Sequence, residues 1–156
     1  MQEEKLWNEF MKDLLIDKIN NFEWKNIKSC TIDAIYNGKD YLEIPESIEE
    51  IVFGPQFNDN INNLVIPRSV NKIYFQRNFC QNISELKIND NVILIFYKIN
   101  KITAESLPNN IKYIGIVELT FPLINLPSSL EWVIIYSGKE HLDNSKIPNN
   151  CNVRFY

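Results

Sequence analysis

A chain of 156 residues, 45% hydrophobic and 12% aromatic, has the size and apolar content of one domain with its own core and excludes a disordered polymer. Its formal net charge of −4, with basic residues scattered along the chain, excludes a sequence-independent grip on DNA or RNA and offers no cluster for an anionic membrane. No apolar run approaches the ~18 residues of a bilayer span, and three cysteines, Cys30, Cys80 and Cys151, are odd in number and too far apart for a disulfide scaffold.

The N-terminus, Met1-Gln2-Glu3-Glu4, is acidic where an export signal would be basic. Together with the cysteine usage this predicts a reducing, cytoplasmic setting. Leu6, Trp7, Phe10, Met11, Leu14, Leu15 and Ile19 recur at three- and four-residue steps, which predicts an amphipathic helix to about Asn20. Residues 1–22 are therefore assigned as a helical cap on the first coil of a repeat region, the alternative being a helix offered to a partner.

Residues 23–156 repeat themselves. The units "IPESIEEIVF" (Ile44–Phe53), "IPRSVNKIYF" (Ile66–Phe75), "INDNVILIFY" (Ile88–Tyr97), "LPNNIKYIGI" (Leu107–Ile116), "LPSSLEWVII" (Leu126–Ile135) and "IPNNCNVRFY" (Ile147–Tyr156) start 19 to 22 residues apart. A degenerate earlier unit, "NIKSCTI", spans Asn26–Ile32. Proline lacks an N–H, so it belongs just before a strand rather than inside it. Alternate residues such as Ile51 and Phe53 then share one face of that strand. A constant period near 20 returns the chain to the next strand in about a dozen residues, which a stack of coils satisfies. The fold expected is a repeat solenoid with six to seven short parallel strands, mostly irregular return turns and an N-terminal capping helix. The inward positions are read as Ile27, Cys30, Ile32; Ile48, Ile51, Phe53; Val70, Ile73, Phe75; Val92, Ile95, Tyr97; Ile111, Ile114, Ile116; and Leu130, Val133, Ile135. Phe57 and Phe79 are expected to plug one return-turn position, with Asn60 and Asn82 bonding backbone groups at the bend.

"FGPQFNDNI" (53–61) and "FQRNFCQNI" (75–83), preceded by the Pro-x-Ser turn, resemble the FNIP repeat, a leucine-rich-repeat variant of social amoebae and of large viruses of amoebae. Later units keep the strand and lose the Phe-Asn signature: 99–102 reads "INKI" and 121–124 reads "FPLI". The resemblance implies a leucine-rich-repeat-like solenoid with its parallel sheet on a concave side, binding other proteins. Its distribution also allows a viral, virion-associated protein. Relatives often carry an N-terminal F-box; this segment lacks the Leu-Pro opening and the additional helices, and none is read here.

No active-site pattern stands out. His141 adjoins Glu140 in "SGKEHLDN", a surface-turn sequence with no nucleophile tied to it. The cysteines lack metal-ligand spacing, Asp and Glu are not clustered as a metal loop requires, and phosphate-binding glycine motifs are absent. The expectation is a non-enzymatic protein with no cofactor or metal.

The outward strand positions carry the functional expectation. Tyr74, Leu94, Phe96, Tyr113, Val117, Trp132, Ile134 and Tyr136 are assigned to a concave protein-binding face, aromatic toward the C-terminal end. A one-residue slip in the apolar runs "ILIFY" and "WVIIY" would exchange the two faces, and burial under a second layer would leave no patch at all. Another protein or a second copy is the expected partner, through this face or through the terminal strand Val153–Tyr156, whose open edge invites pairing.

Overall fold

The computed structural model describes residues 28–32 and 43–156. The helix expected over 1–22 lies outside the described residues, as do Ile27 and Asp33. Seven strands follow one another: β1 (Ser29–Ile32), β2 (Glu50–Phe53), β3 (Lys72–Phe75), β4 (Ile93–Lys98), β5 (Tyr113–Glu118), β6 (Trp132–Ser137) and β7 (Asn152–Phe155). They form one sheet in sequence order, every neighbouring pair parallel. The expected repeat solenoid is the fold observed.

Each coil opens on the same turn. The amides of Ile48, Val70, Ile111, Leu130 and Cys151 donate to the carbonyls of Pro45, Pro67, Pro108, Pro127 and Pro148 at 2.9–3.2 Å. Val92 does the same to Asn89, where the proline is missing. The turn swings its last residue inward, so Ile48, Val70, Val92, Ile111 and Leu130 are buried one above another. Ser69 Oγ and Ser129 Oγ, inside this turn, donate to Ile48 O and Ile111 O of the preceding coil at 2.6 and 2.7 Å. That is why small hydroxyl residues recur there.

A ladder of rings fills the first half of the core. Phe53 stacks on Phe75 at 5.2 Å between centroids and Phe75 on Phe96 at 4.8 Å. Phe57 and Phe79 lean on this column at 4.6 and 4.5 Å and on each other at 6.3 Å, as expected for a shared return position. Each fully buried ring of this kind contributes roughly 1.5–3 kcal/mol. At the bend, Asn60 Oδ1 and Asn82 Oδ1 accept from the amides two residues on, of Asn62 and Ser84, both at 2.9 Å. In the later coils a short helix, α1 (Lys101–Ala104), capped by Asn100, and a 3-10 turn at Lys139–His141 take over the return.

One register expectation is corrected. In β4 the inward residues are Leu94 and Phe96, paired with Ile73 and Phe75, and not Ile95 and Tyr97. Two residues separate the turn from the first inward strand position in Val70–Ile73, Ile111–Ile114 and Leu130–Val133, but only Ile93 separates Val92 from Leu94. Where the link is long, two successive amides share one carbonyl of the coil before, as Asn71 and Lys72 share Glu49 O. Ile93 alone bonds Asn71 O at 2.9 Å. With one residue fewer in the link, every β4 side chain changes face.

Candidate functional site: the outward face of the sheet

Strand pairing places three columns on the face away from the core. The central one runs Thr31, Val52, Tyr74, Ile95, Gly115, Ile134, Arg154; one flank runs Glu50, Lys72, Ile93, Tyr113, Trp132, Asn152. Tyr97, Val117 and Tyr136 lie on the other flank, one step before the paired residues Lys98, Glu118 and Ser137.

Five of the expected site residues, Tyr113, Val117, Trp132, Ile134 and Tyr136, are brought together on this face, with Trp132 40% and Tyr136 43% exposed. Tyr74 also points outward but is only 6% exposed. Leu94 and Phe96 are corrected: both sit in the core at 0% and 1% exposure, because of the short link before β4. Ile93, Ile95 and Tyr97 take their places on the face and were not assigned to it from sequence. The signal that finds them is the phenylalanine series: aligning Phe96 with Phe53 and Phe75, rather than Tyr97, gives the observed register.

The face thus has two halves of different character. Over β1 to β3 its centre is closed, with Val52 0% and Gln76 7% exposed and Ser29 Oγ buried without a hydrogen-bond partner among the described residues, while the flanking Lys72–Glu50 pair, 2.9 Å apart, keeps its side chains 40% and 23% exposed. Burial raises the pKa of the Tyr74 hydroxyl, and the Glu50 carboxylate and Tyr136 add to the rise. Over β4 to β7 it is open and apolar in the middle. Polar groups surround that middle: Lys98 faces Glu118 at 3.5 Å, Lys112 faces Glu131 at 3.4 Å, and Tyr113 Oη donates to Glu131 at 3.3 Å. The Arg77 guanidinium lies 4.1 Å over the Tyr97 ring and hydrogen-bonds its hydroxyl. Tyr136 stacks on Tyr156 at 5.3 Å, extending the aromatic surface to the end of β7. An apolar, aromatic centre within a polar rim is the composition of a protein interface.

Elsewhere among the described residues the titratable and nucleophilic groups are scattered. Among the described residues no group of His, Cys, Asp and Glu could hold a metal ion. The His141 ring faces Glu140 at 3.8 Å on an exposed turn, and the nearby Ser145 hydroxyl bonds the His141 carbonyl rather than the ring. All three cysteines are free, and burial pushes the Cys30 thiol up to about 12. A hollow between return segments is lined by Asn62, Leu64, Val65, Glu85 and Lys87. The Asn62 side chain there is spent on the next coil, donating to Asn82 O at 3.0 Å and accepting from the Glu85 amide at 3.2 Å.

The family model FNIP Repeat matches residues 40–78, the segment holding β2, β3 and the ring column between them. This stretch is similar to the FNIP repeat, and the coils after it keep the same strand and turn. No curated protein and no solved structure gives a significant match. No helix among the described residues is long and apolar enough to cross a membrane.

Proposed function

We propose that the protein is a non-enzymatic interaction module that binds another protein through the open half of its sheet, over β4 to β6. The observation behind this reading is the set Ile93, Ile95, Tyr113, Trp132, Ile134 and Tyr136, held in register on rigid parallel strands with Trp132 and Tyr136 substantially exposed. Tryptophan and tyrosine carry much of the energy at interfaces because they bury large areas with few torsions to freeze. A solenoid's stacked coils present an extended surface of the kind repeat proteins use for binding. The cytoplasmic setting and the single folding unit spanning 23–156 belong to the same proposal.

The test is Trp132→Asp. Affinity capture by wild-type protein, followed by titration of the purified partner, should show binding at least ~30-fold weaker for the variant, the loss of one hot spot of about 2 kcal/mol. The fold should survive, since the Trp132 side chain lies outside the core. Equal binding by both proteins would discard this face.

Self-association is the second reading. It is favoured by β7, whose outer edge pairs with no described strand and which carries Phe155 and Tyr156 at 36% and 66% exposure. Light scattering over roughly a hundredfold concentration range separates the two readings: a stable dimer assigns the surface to a second copy, a monomer leaves it for a foreign protein.

A further inference from the structure

Strand pairing sets Arg154 beside Ile134 in the central column of the outward face, at the margin of the open half. Its side chain is exposed, and the guanidinium lies 4.8 Å over the Tyr156 ring, which in turn stacks on Tyr136 at 5.3 Å. Stacking on a ring occupies the flat of a guanidinium and leaves its edge, with the N–H groups, for an acceptor in the same plane. Among the described residues no carboxylate forms an ion pair with Arg154. The carboxylates around this face are all engaged. Glu50 holds Lys72 at 2.9 Å, Glu118 faces Lys98 at 3.5 Å, and Glu131 faces Lys112 at 3.4 Å and accepts from Tyr113 Oη at 3.3 Å. Pairing these groups leaves one guanidinium over, so the open half carries an unbalanced positive charge on a chain of net charge −4. A basic partner would have to break one of the existing pairs, whereas an acidic one meets Arg154 already held in place.

We infer that the partner of the open half is an acidic protein segment: an aromatic or aliphatic side chain packs among Trp132, Ile134 and Tyr136 while a neighbouring Asp or Glu forms a two-pronged ion pair with Arg154. The inference rests on the reading of β4 to β6 as the docking surface and adds the charge and composition of what docks there. Strands lie ~4.8 Å apart, which separates Arg154 from Ile134 by one step across the sheet. Side chains two residues apart in an extended segment are about 6.6 Å from each other, and those three or four apart on a helix about 5–6 Å. Either backbone therefore supplies both contacts from residues no more than about four positions apart. An exposed ion pair by itself contributes little. Here the anchoring side chain, together with the Trp132 and Tyr136 rings, shields the pair from water, where a charge-assisted hydrogen bond is stronger.

A random dodecapeptide library displayed on phage, selected against the immobilised full-length chain, tests this. The recovered peptides are synthesised and titrated by fluorescence anisotropy. They should share an Asp or Glu within about four positions of a Trp, Phe, Leu or Ile. Arg154→Gln should weaken them about 10- to 100-fold, the loss of a shielded, hydrogen-bonded charge pair. Arg154→Lys should recover only part of that loss, since an ammonium lacks the planar fork. Arg154→Glu, set against a peptide whose acid is replaced by arginine, should restore the binding that either change alone removes. The Arg154 side chain lies outside the core, so these variants keep the fold, which circular dichroism checks. Peptides that are lost with Trp132→Asp and indifferent to Arg154→Gln overturn this inference and leave the docking surface standing. Peptides indifferent to both variants overturn the two together. A library that yields no binder, or binders without a shared acid, overturns the acidic segment alone.

Discussion

Phe75 and Phe96 stack with centroids 4.8 Å apart and planes within 10°, although 21 residues separate them where the turns that launch their strands, at Val70 and Val92, are 22 apart. The one-residue-shorter link before β4 brings Phe96 into the ring column, and the two together set which face of β4 is buried. Phe96→Ala should lower stability by about 3–5 kcal/mol, as loss of a buried ring does. Ile95→Thr, on the outward face, should cost no more than about 1 kcal/mol. Denaturant titration of both variants checks the register, and the reverse ranking would place Ile95 in the core.

Two glycines separate conformation from space. Gly138 has φ +91°, and a Cβ there would stand 1.9 Å from Leu119 O, so Gly138→Ala forces either backbone to move. A loss of about 2 kcal/mol or more is expected. At Gly115, in mid-strand, an added Cβ meets Ile95 at 3.6 Å, an ordinary contact. Gly115→Ala should be neutral or stabilising by about 0.5–1 kcal/mol, because it removes freedom from the unfolded chain. Thermal melts of the pair should shift in opposite directions or, at the least, by clearly different amounts.

Cys30 gives the fold an alkaline limit. Its pKa is pushed up to about 12 by burial, while in the unfolded chain it stays near the ordinary 9.0. Below pH 9 the thiol is neutral in both states and its contribution is fully present; from there toward pH 12 the unfolded state loses the proton first, and stability falls. The slope for one group is at most about 1.4 kcal/mol per pH unit. Tyr74, also raised by burial, adds to the decline in the same direction above its ordinary 10.0. Denaturation midpoints at pH 8, 9 and 10 should drop for the wild type and drop less for Cys30→Val.

The solenoid is legible in the sequence because its cues are local and repeated: each turn precedes its strand at nearly fixed spacing, and Ile111–Ile114 and Leu130–Val133 keep the spacing of Val70–Ile73. The same spacing puts Tyr113, Val117, Trp132, Ile134 and Tyr136 on the outward face. It misplaces β4 because "ILIFY" is apolar on both faces, so alternation carries no information there and the shorter link and the ring column together fix the choice. The burial of Val52 and Tyr74 is not legible, because alternation along a strand tells which face a residue takes and not how exposed that face is. The abundance of asparagine carries more physics than composition suggests: Asn58 Oδ1 accepts from the Cys80 amide at 2.7 Å, and Asn89 and Asn110 donate to Arg68 O and Ile88 O at 3.0 and 2.9 Å.

Those side-chain ties have a direction. Ser69, Asn78, Gln81, Asn89, Thr103, Asn110, Ser129, Ser137 and Asn152 each donate to a backbone carbonyl of the coil before their own, with Asn62 the exception. A ribosome delivers the chain in that same order. Each coil that emerges therefore finds acceptors for its side chains in the coil before it, while a few amides, those of Ile83, Leu119 and Leu123, are satisfied only when the next coil brings Ser106 Oγ, Ser137 O and Ser145 Oγ.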